Sequence, residues 1–190
     1  MSQSTSRFVF TSTPLDGLRI VTRQQLADAR GFLARLWCAE EFSRHGWSNP
    51  VLQINHSLTR RHGTIRGMHF QHPPHAEDKL VSCLHGEIFD VAVDLRRGSP
   101  TFLNWHGLVL SAKNARSLLI PRGFAHGFQT LADDCELVYL HTTAYRSDAE
   151  GGIDALDPRL AIAWPLPPGD RSPRDEAHPP LAAEFDGVSL

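Results

Sequence analysis

The chain has 190 residues, 41% of them hydrophobic and 21% charged, with a net charge of -2. That length suits one domain with a real core, and the composition is that of an ordinary globular protein. The near-neutral balance gives no whole-protein field for nucleic acid or an anionic membrane, so any phosphate must be held by a few placed arginines.

The N-terminus, Met1 to Ser6, is polar and leads into a short apolar run at Phe8-Val9-Phe10, which does not fit a signal peptide. No apolar run is long enough to cross a bilayer. The three cysteines, Cys38, Cys83 and Cys135, are odd in number and widely spaced. They exclude a disulfide framework and a CxxC zinc site and suit a reducing, cytoplasmic setting.

Short apolar segments ending at Gly, Pro, Asn or Asp predict strands over 17–22, 51–58, 64–70, 79–84, 87–95, 105–110, 117–120, 127–131 and 136–145. Helical patterns are few: Arg23 to Asp28, Ala39 to His45 and Asp175 to Ala183. Many short strands with little helix predict an all-β antiparallel sandwich or barrel. Its core should run over about 17–165, with 166–183 an extended segment lying on the barrel and 184–190 a frayed tail.

Two strands carry chemical patterns. In the first, Gln53, Asn55 and Ser57 alternate with Leu52, Ile54 and Leu58, so three neutral polar side chains share one face. That row can line a wet cavity or form a polar outer surface. In the second, Tyr139, His141, Thr143 and Tyr145 share a parity opposite Val138, Leu140, Thr142 and Ala144. Such a face can supply protons inside a barrel, or hold packed tyrosines with satisfied hydroxyls.

Three stretches narrow the reading: Thr64-Ile65-Arg66-Gly67-Met68-His69-Phe70-Gln71 with Lys79-Leu80-Val81; Gly86 to Arg96 continuing to Ser99-Pro100-Thr101-Phe102; and Ile120-Pro121-Arg122-Gly123-Phe124-Ala125-His126-Gly127-Phe128. In this order and spacing they resemble the dTDP-4-dehydrorhamnose 3,5-epimerase family, over nearly the whole chain. The resemblance implies a cupin-type double-sheet jelly roll, a homodimer, a nucleotide-sugar substrate and epimerisation with no metal or organic cofactor. It puts the base at His69, its carboxylate partner at Asp175, the opposing acid at Tyr139 and a lysine near the sugar keto oxygen at Lys79. It puts Arg66, Gln53, Asn55, Ser57, His126 and Tyr145 at substrate-binding or pocket-lining positions. Arg30 and Phe32 would reach the partner subunit's site.

The chemistry suits those residue types. A proton beside a ketone is acidic because its loss gives an enolate, and histidine titrates where such a base works best. A lysine can stabilise the charge growing on the ketone oxygen. Inversion then needs an acid on the opposite face of the sugar.

Alternation alone sets Arg66 and His69 on opposite faces, so both reach one site only if the strand bulges, ends or twists near Gly67. Asp90 and Asp94 read as turn-end or outward carboxylates outside the site. The chief rival is a metal-dependent cupin, a dioxygenase or isomerase, suggested by eleven histidines that include His69, His72, His75, His85 and His126. Its ligands need i, i+2 spacing on a strand, and the residue two beyond His69 is Gln71. A noncatalytic sugar-nucleotide binder is the other rival. The chain departs from the family pattern at Arg35, where Glu is usual, at Glu77, Ser82 and Arg146-Ser147. These changes concern recognition and leave His69 and Tyr139 in place, so the nucleotide could be dTDP, CDP or GDP.

Overall fold

A computed structural model describes residues 6–190. Its strands are β1 (Phe8–Ser12), β2 (Arg19–Arg23), β3 (Gln25–Asp28), β4 (Gly31–Ala34), β5 (Gln53–Thr59), β6 (Ile65–Gln71), β7 (Lys79–His85), β8 (Glu87–Asp94), β9 (Trp105–Ser111), β10 (Arg116–Ile120), β11 (Phe124–Thr130), β12 (Cys135–His141) and β13 (Glu150–Gly152). Two short helices, α1 (Ala39–Ser43) and α2 (Pro173–Glu176), lie at the periphery. No helix among the described residues is long and apolar enough to cross a membrane.

Two antiparallel sheets face each other, in the orders β1-β2-β10-β7-β12-β5 and β13-β6-β11-β8-β9. Their inner eight strands, β10-β7-β12-β5 against β6-β11-β8-β9, have the strand order of two interlocked Greek keys, a cupin-type jelly roll. Between the sheets, one end is closed by apolar side chains that include Val81, Ile88, Leu110, Leu118, Phe128 and Leu137. The other end holds polar side chains and an open cavity.

Both sheets are also covered outside, which is why few strands show clean alternation. Phe8, Phe42 and Trp47 pack on Leu80, Leu119 and Leu140 of the first sheet. The C-terminal segment packs Ile153, Leu160, Trp164 and Val188 on Ile65, Met68, Val91 and Val93 of the second. Gln129 fixes that segment, donating from Nε2 to the Leu166 carbonyl at 3.0 Å and accepting from the Leu166 amide at 3.0 Å.

Several sequence expectations are corrected. Residues 23–28 are not helical: β3 pairs with β4 in a projecting hairpin turned by Asp28, whose carboxylate accepts the Arg30 amide at 2.8 Å. All four residues of β3 are exposed, so burial imprints no period on the sequence. The helix expected over 175–183 is only α2, started by Ser172, whose hydroxyl accepts the Asp175 amide, and by Pro173. Pro179 and Pro180 prevent it from continuing. The tail is docked rather than frayed: Val188 is buried, its amide donates to the Leu95 carbonyl at 2.7 Å, and its carbonyl accepts the Arg97 amide at 2.9 Å. The last strand of the barrel ends at His141 rather than Tyr145, and β1, β4 and β13 are additional strands.

Candidate active site

The open end of the barrel is a cavity of about 420 Å³. β5 contributes Gln53, Asn55 and Ser57, as period-two alternation requires, so the polar row faces inward while Leu52, Ile54 and Leu58 face out. β12 contributes Tyr139 and His141 by the same rule, followed by Thr143 and Tyr145. β7 contributes Lys79, β11 contributes His126 and Phe128, and β6 contributes Arg66, His69 and Gln71.

The register explains how Arg66 and His69 both reach the cavity. On β11 the partners of Arg66 and His69 are Phe128 and His126, two residues apart against three on β6. The extra residue is a bulge at Gly67, one of the three ways alternation left open. Only glycine fits there. Its φ is +125°, and a Cβ would lie 2.6 Å from Gly127 Cα and 2.9 Å from the His126 carbonyl oxygen.

Two imidazole–carboxylate pairs result. His69 Nε2 lies 2.6 Å from Asp175 Oδ1, with the carboxylate buried at the start of α2. Burial pushes the Asp175 carboxyl up, but hydrogen bonds from His69, Ser172 and the Gly67 amide outweigh it and hold it below the usual range. An ionised carboxylate only accepts, so in the neutral ring Nε2 carries the proton and Nδ1 the lone pair. The second pair is His126 Nε2 and Asp90 Oδ1, 2.7 Å apart.

Asp90 corrects the sequence reading. It is fully buried, points inward beneath His126, and burial raises its pKa against the pull of His126. β8 is covered on both faces in the fold, so neither parity of its residues points outward. Asp94, by contrast, is a turn-end carboxylate, accepting from Arg96, Ser99 and Thr101.

Facing these pairs from the other sheet stands Tyr139. Its hydroxyl lies 3.2 Å from Ser57 Oγ, and burial holds its pKa well above the ordinary phenol value. Lys79 is nearly buried, forms an ion pair with Glu77 at 3.0 Å, and donates to the His69 carbonyl at 3.3 Å. Burial and the Lys79 cation lower His141 to about 4, so its imidazole is neutral at pH 7. At the rim, Tyr145 donates to Glu150 Oε2 at 2.9 Å, and Arg174 bridges to Glu150 Oε1 at 3.0 Å.

The structure thus brings Gln53, Asn55, Ser57, Arg66, His69, Lys79, His126, Tyr139 and Tyr145 to one cavity, with Asp175 directly behind His69. Arg30 and Phe32 are not brought there: they lie on the β3–β4 hairpin, and Phe32 is 63% exposed. Sequence reasoning missed Glu150 and Arg174 in the lining, both on segments without a strand pattern. His72, His75 and His85 lie outside the cavity lining. The one candidate metal-holding group among the described residues is His69, Asp175 and His178.

The family model for dTDP-4-dehydrorhamnose 3,5-epimerase matches residues 12–183. The chain belongs to that family. It is 41% identical over 161 residues to the dTDP-4-dehydrorhamnose 3,5-epimerase of Methanothermobacter thermautotrophicus, covering 85% of this chain and 86% of that protein. It is 37% identical over 163 residues to a dTDP-4-dehydrorhamnose 3-epimerase of Streptomyces niveus, covering 85% and 78%. A Legionella pneumophila dTDP-6-deoxy-D-glucose-3,5-epimerase solved with dTDP-4-keto-L-rhamnose superposes with a TM-score of 0.90 at 38% identity, covering 96% of this chain and 99% of that one. Membership makes the chain an isomerase, and the epimerase fold accounts for the two facing sheets and the cavity between them.

Proposed function

We propose that the chain inverts C3, C5 or both of a nucleotide-linked 4-keto-6-deoxyhexose, with dTDP-4-keto-6-deoxyglucose as the substrate and dTDP-4-keto-rhamnose as the product of inversion at both centres. The observation that carries this reading is a carboxylate-backed imidazole and a half-buried phenol on opposite walls of one cavity. Nδ1 of His69 takes the proton from the carbon beside the ketone, and Asp175 stabilises the imidazolium that forms. Lys79 lies near enough to His69 to stabilise the oxyanion of the enolate. Tyr139, whose phenol is protonated at neutral pH, returns a proton from the other face. These steps call on no metal or organic cofactor.

Gln53, Asn55, Ser57, Arg66, His126 and Tyr145 hold the substrate in this reading, with the Arg66 guanidinium suited to a phosphate. Arg30 and Phe32 serve the site of a partner subunit in a homodimer. Supporting this, Phe32, Leu33, Leu52 and Ile54 leave apolar side chains exposed on the hairpin and the outer face of β5. A cytoplasmic location fits this reading, supported by the nucleotide-sugar substrate and the three widely spaced free cysteines.

Product NMR tests the reading. Incubation with dTDP-4-keto-6-deoxyglucose should change the ring proton couplings at C3, at C5 or at both. A folded chain that leaves both centres untouched would overturn the dTDP assignment, and turnover of the CDP- or GDP-linked sugar instead would reassign the nucleotide.

A further inference from the structure

Behind His69 the C-terminal segment places a second imidazole that the proposed epimerisation does not use. His178 Nε2 lies 3.9 Å from Asp175 Oδ1, the oxygen already bonded to His69 Nε2 at 2.6 Å. The two rings meet edge to face, with centroids 5.6 Å apart. The His178 side chain is only 14% exposed, and its Nε2 is buried with no hydrogen-bond partner among the described residues. A glycine admits the ring: a Cβ at Gly152 would collide with it. A buried ring nitrogen 3.9 Å from a carboxylate and without a hydrogen bond among the described residues is an unmet polar group that asks for a partner.

His69, Asp175 and His178 each offer one ligand atom, all within 4.8 Å of one another. Two imidazoles and a carboxylate are a donor set for zinc, with a fourth position left for water. Ligand atoms about 2.0–2.1 Å from a tetrahedral ion sit roughly 3.3 Å from each other. The 2.6 Å contact must widen and the 3.9 Å contact narrow, each by less than about 1 Å, and the two imidazole nitrogens, within 4.8 Å of each other, must close by no more than about 1.5 Å.

We propose that these three residues form a zinc-class divalent cation site that switches the base off. With Asp175 accepting the Nε2 proton, His69 presents the Nδ1 lone pair to the cavity. A cation bound at Nε2 uses that atom's lone pair, so the ring's single proton must sit on Nδ1. The proton count of the ring is unchanged, but the basic nitrogen is lost. Asp175 is turned at the same time from hydrogen-bond acceptor to metal ligand. The inhibitory half of this proposal rests on His69 acting as the base; the binding half does not.

Isothermal titration with Zn²⁺, and the visible absorption of bound Co²⁺, read the site without turnover. The intact chain should show one tight site per chain and a tetrahedral Co²⁺ spectrum. Both should be lost or weakened at least about tenfold in His178→Gln and His178→Ala. Epimerisation without zinc should persist in both variants, while the zinc concentration that halves it rises at least about tenfold. Absence of a tight site in the intact chain, or a site unchanged in both variants, would overturn the proposal. A site that needs His178 but leaves turnover untouched would overturn its inhibitory half alone.

Discussion

A phenol is protonated at neutral pH, and burial raises the Tyr139 pKa further above its ordinary value, an effect that Ser57 only partly opposes. An acid held this way is available at any physiological pH. Tyr139→Phe should therefore lower inverted product by about 10²–10⁴-fold while proton loss on the His69 side continues, because only the second transfer is removed. Comparing deuterium incorporation with product couplings in one NMR sample checks it. Equal loss of both would place Tyr139 in binding rather than proton delivery. His141 makes a separate prediction. Burial and Lys79 hold its folded pKa at about 4 against a reference value of 6.5. Its contribution to stability is complete above 6.5. Between 6.5 and about 4 the unfolded chain takes up a proton that the folded chain refuses, so stability falls with pH, by about 3 kcal/mol at most from this group. His141→Gln should flatten that part of a denaturation series from pH 7 to pH 4, and an unchanged slope would contradict the assignment.

At the scale of the element, β6 shows what a sequence can and cannot disclose. Alternation made Arg66 and His69 incompatible on a regular strand and pointed to a bulge, an end or a twist near Gly67, of which the register shows the bulge. Gly67→Ala should cost about 3 kcal/mol or more, since a Cβ at positive φ would also be pressed into β11. Chemical denaturation measures this, and a variant as stable as the parent would show that β6 and β11 can separate freely. The alternation of the β5 polar row and the β12 phenol–imidazole row was visible in the sequence, but that each row faces the cavity and not solvent or packing is shown only by the fold. Asp90 was not legible in the same way. Its strand is covered on both sides, and a carboxylate among valines reads as an outward residue unless the second cover is known. The β3–β4 hairpin was misread as helix because every β3 residue is exposed and no burial period marks it.

At the scale of the molecule, the fold was legible as many short strands with little helix, and the family resemblance supplied their arrangement. Contacts between distant segments leave no local pattern, and the family resemblance alone supplied one of them, the pairing of His69 with Asp175. Asp175 reaches His69 from 106 positions away, and the tail's pairing with Leu95 and Arg97 leaves no local trace in its sequence. The apolar side chains exposed on the hairpin and β5 call for a cover, and the proposed homodimer supplies it. Sedimentation equilibrium should give twice the chain mass of 21.2 kDa. Phe32→Asp with Leu33→Asp should shift it toward monomer and lower activity by raising the Michaelis constant. A stable, fully active monomer would remove Arg30 and Phe32 from the site.

The most direct test is deuterium entry from heavy water into dTDP-4-keto-6-deoxyglucose, followed at C3 and C5, for the intact chain and for His69→Ala. The account predicts incorporation at one or both carbons by the intact chain and a loss of at least about 100-fold in the variant. Incorporation that survives without His69, in a variant still folded, would contradict the assignment of the base.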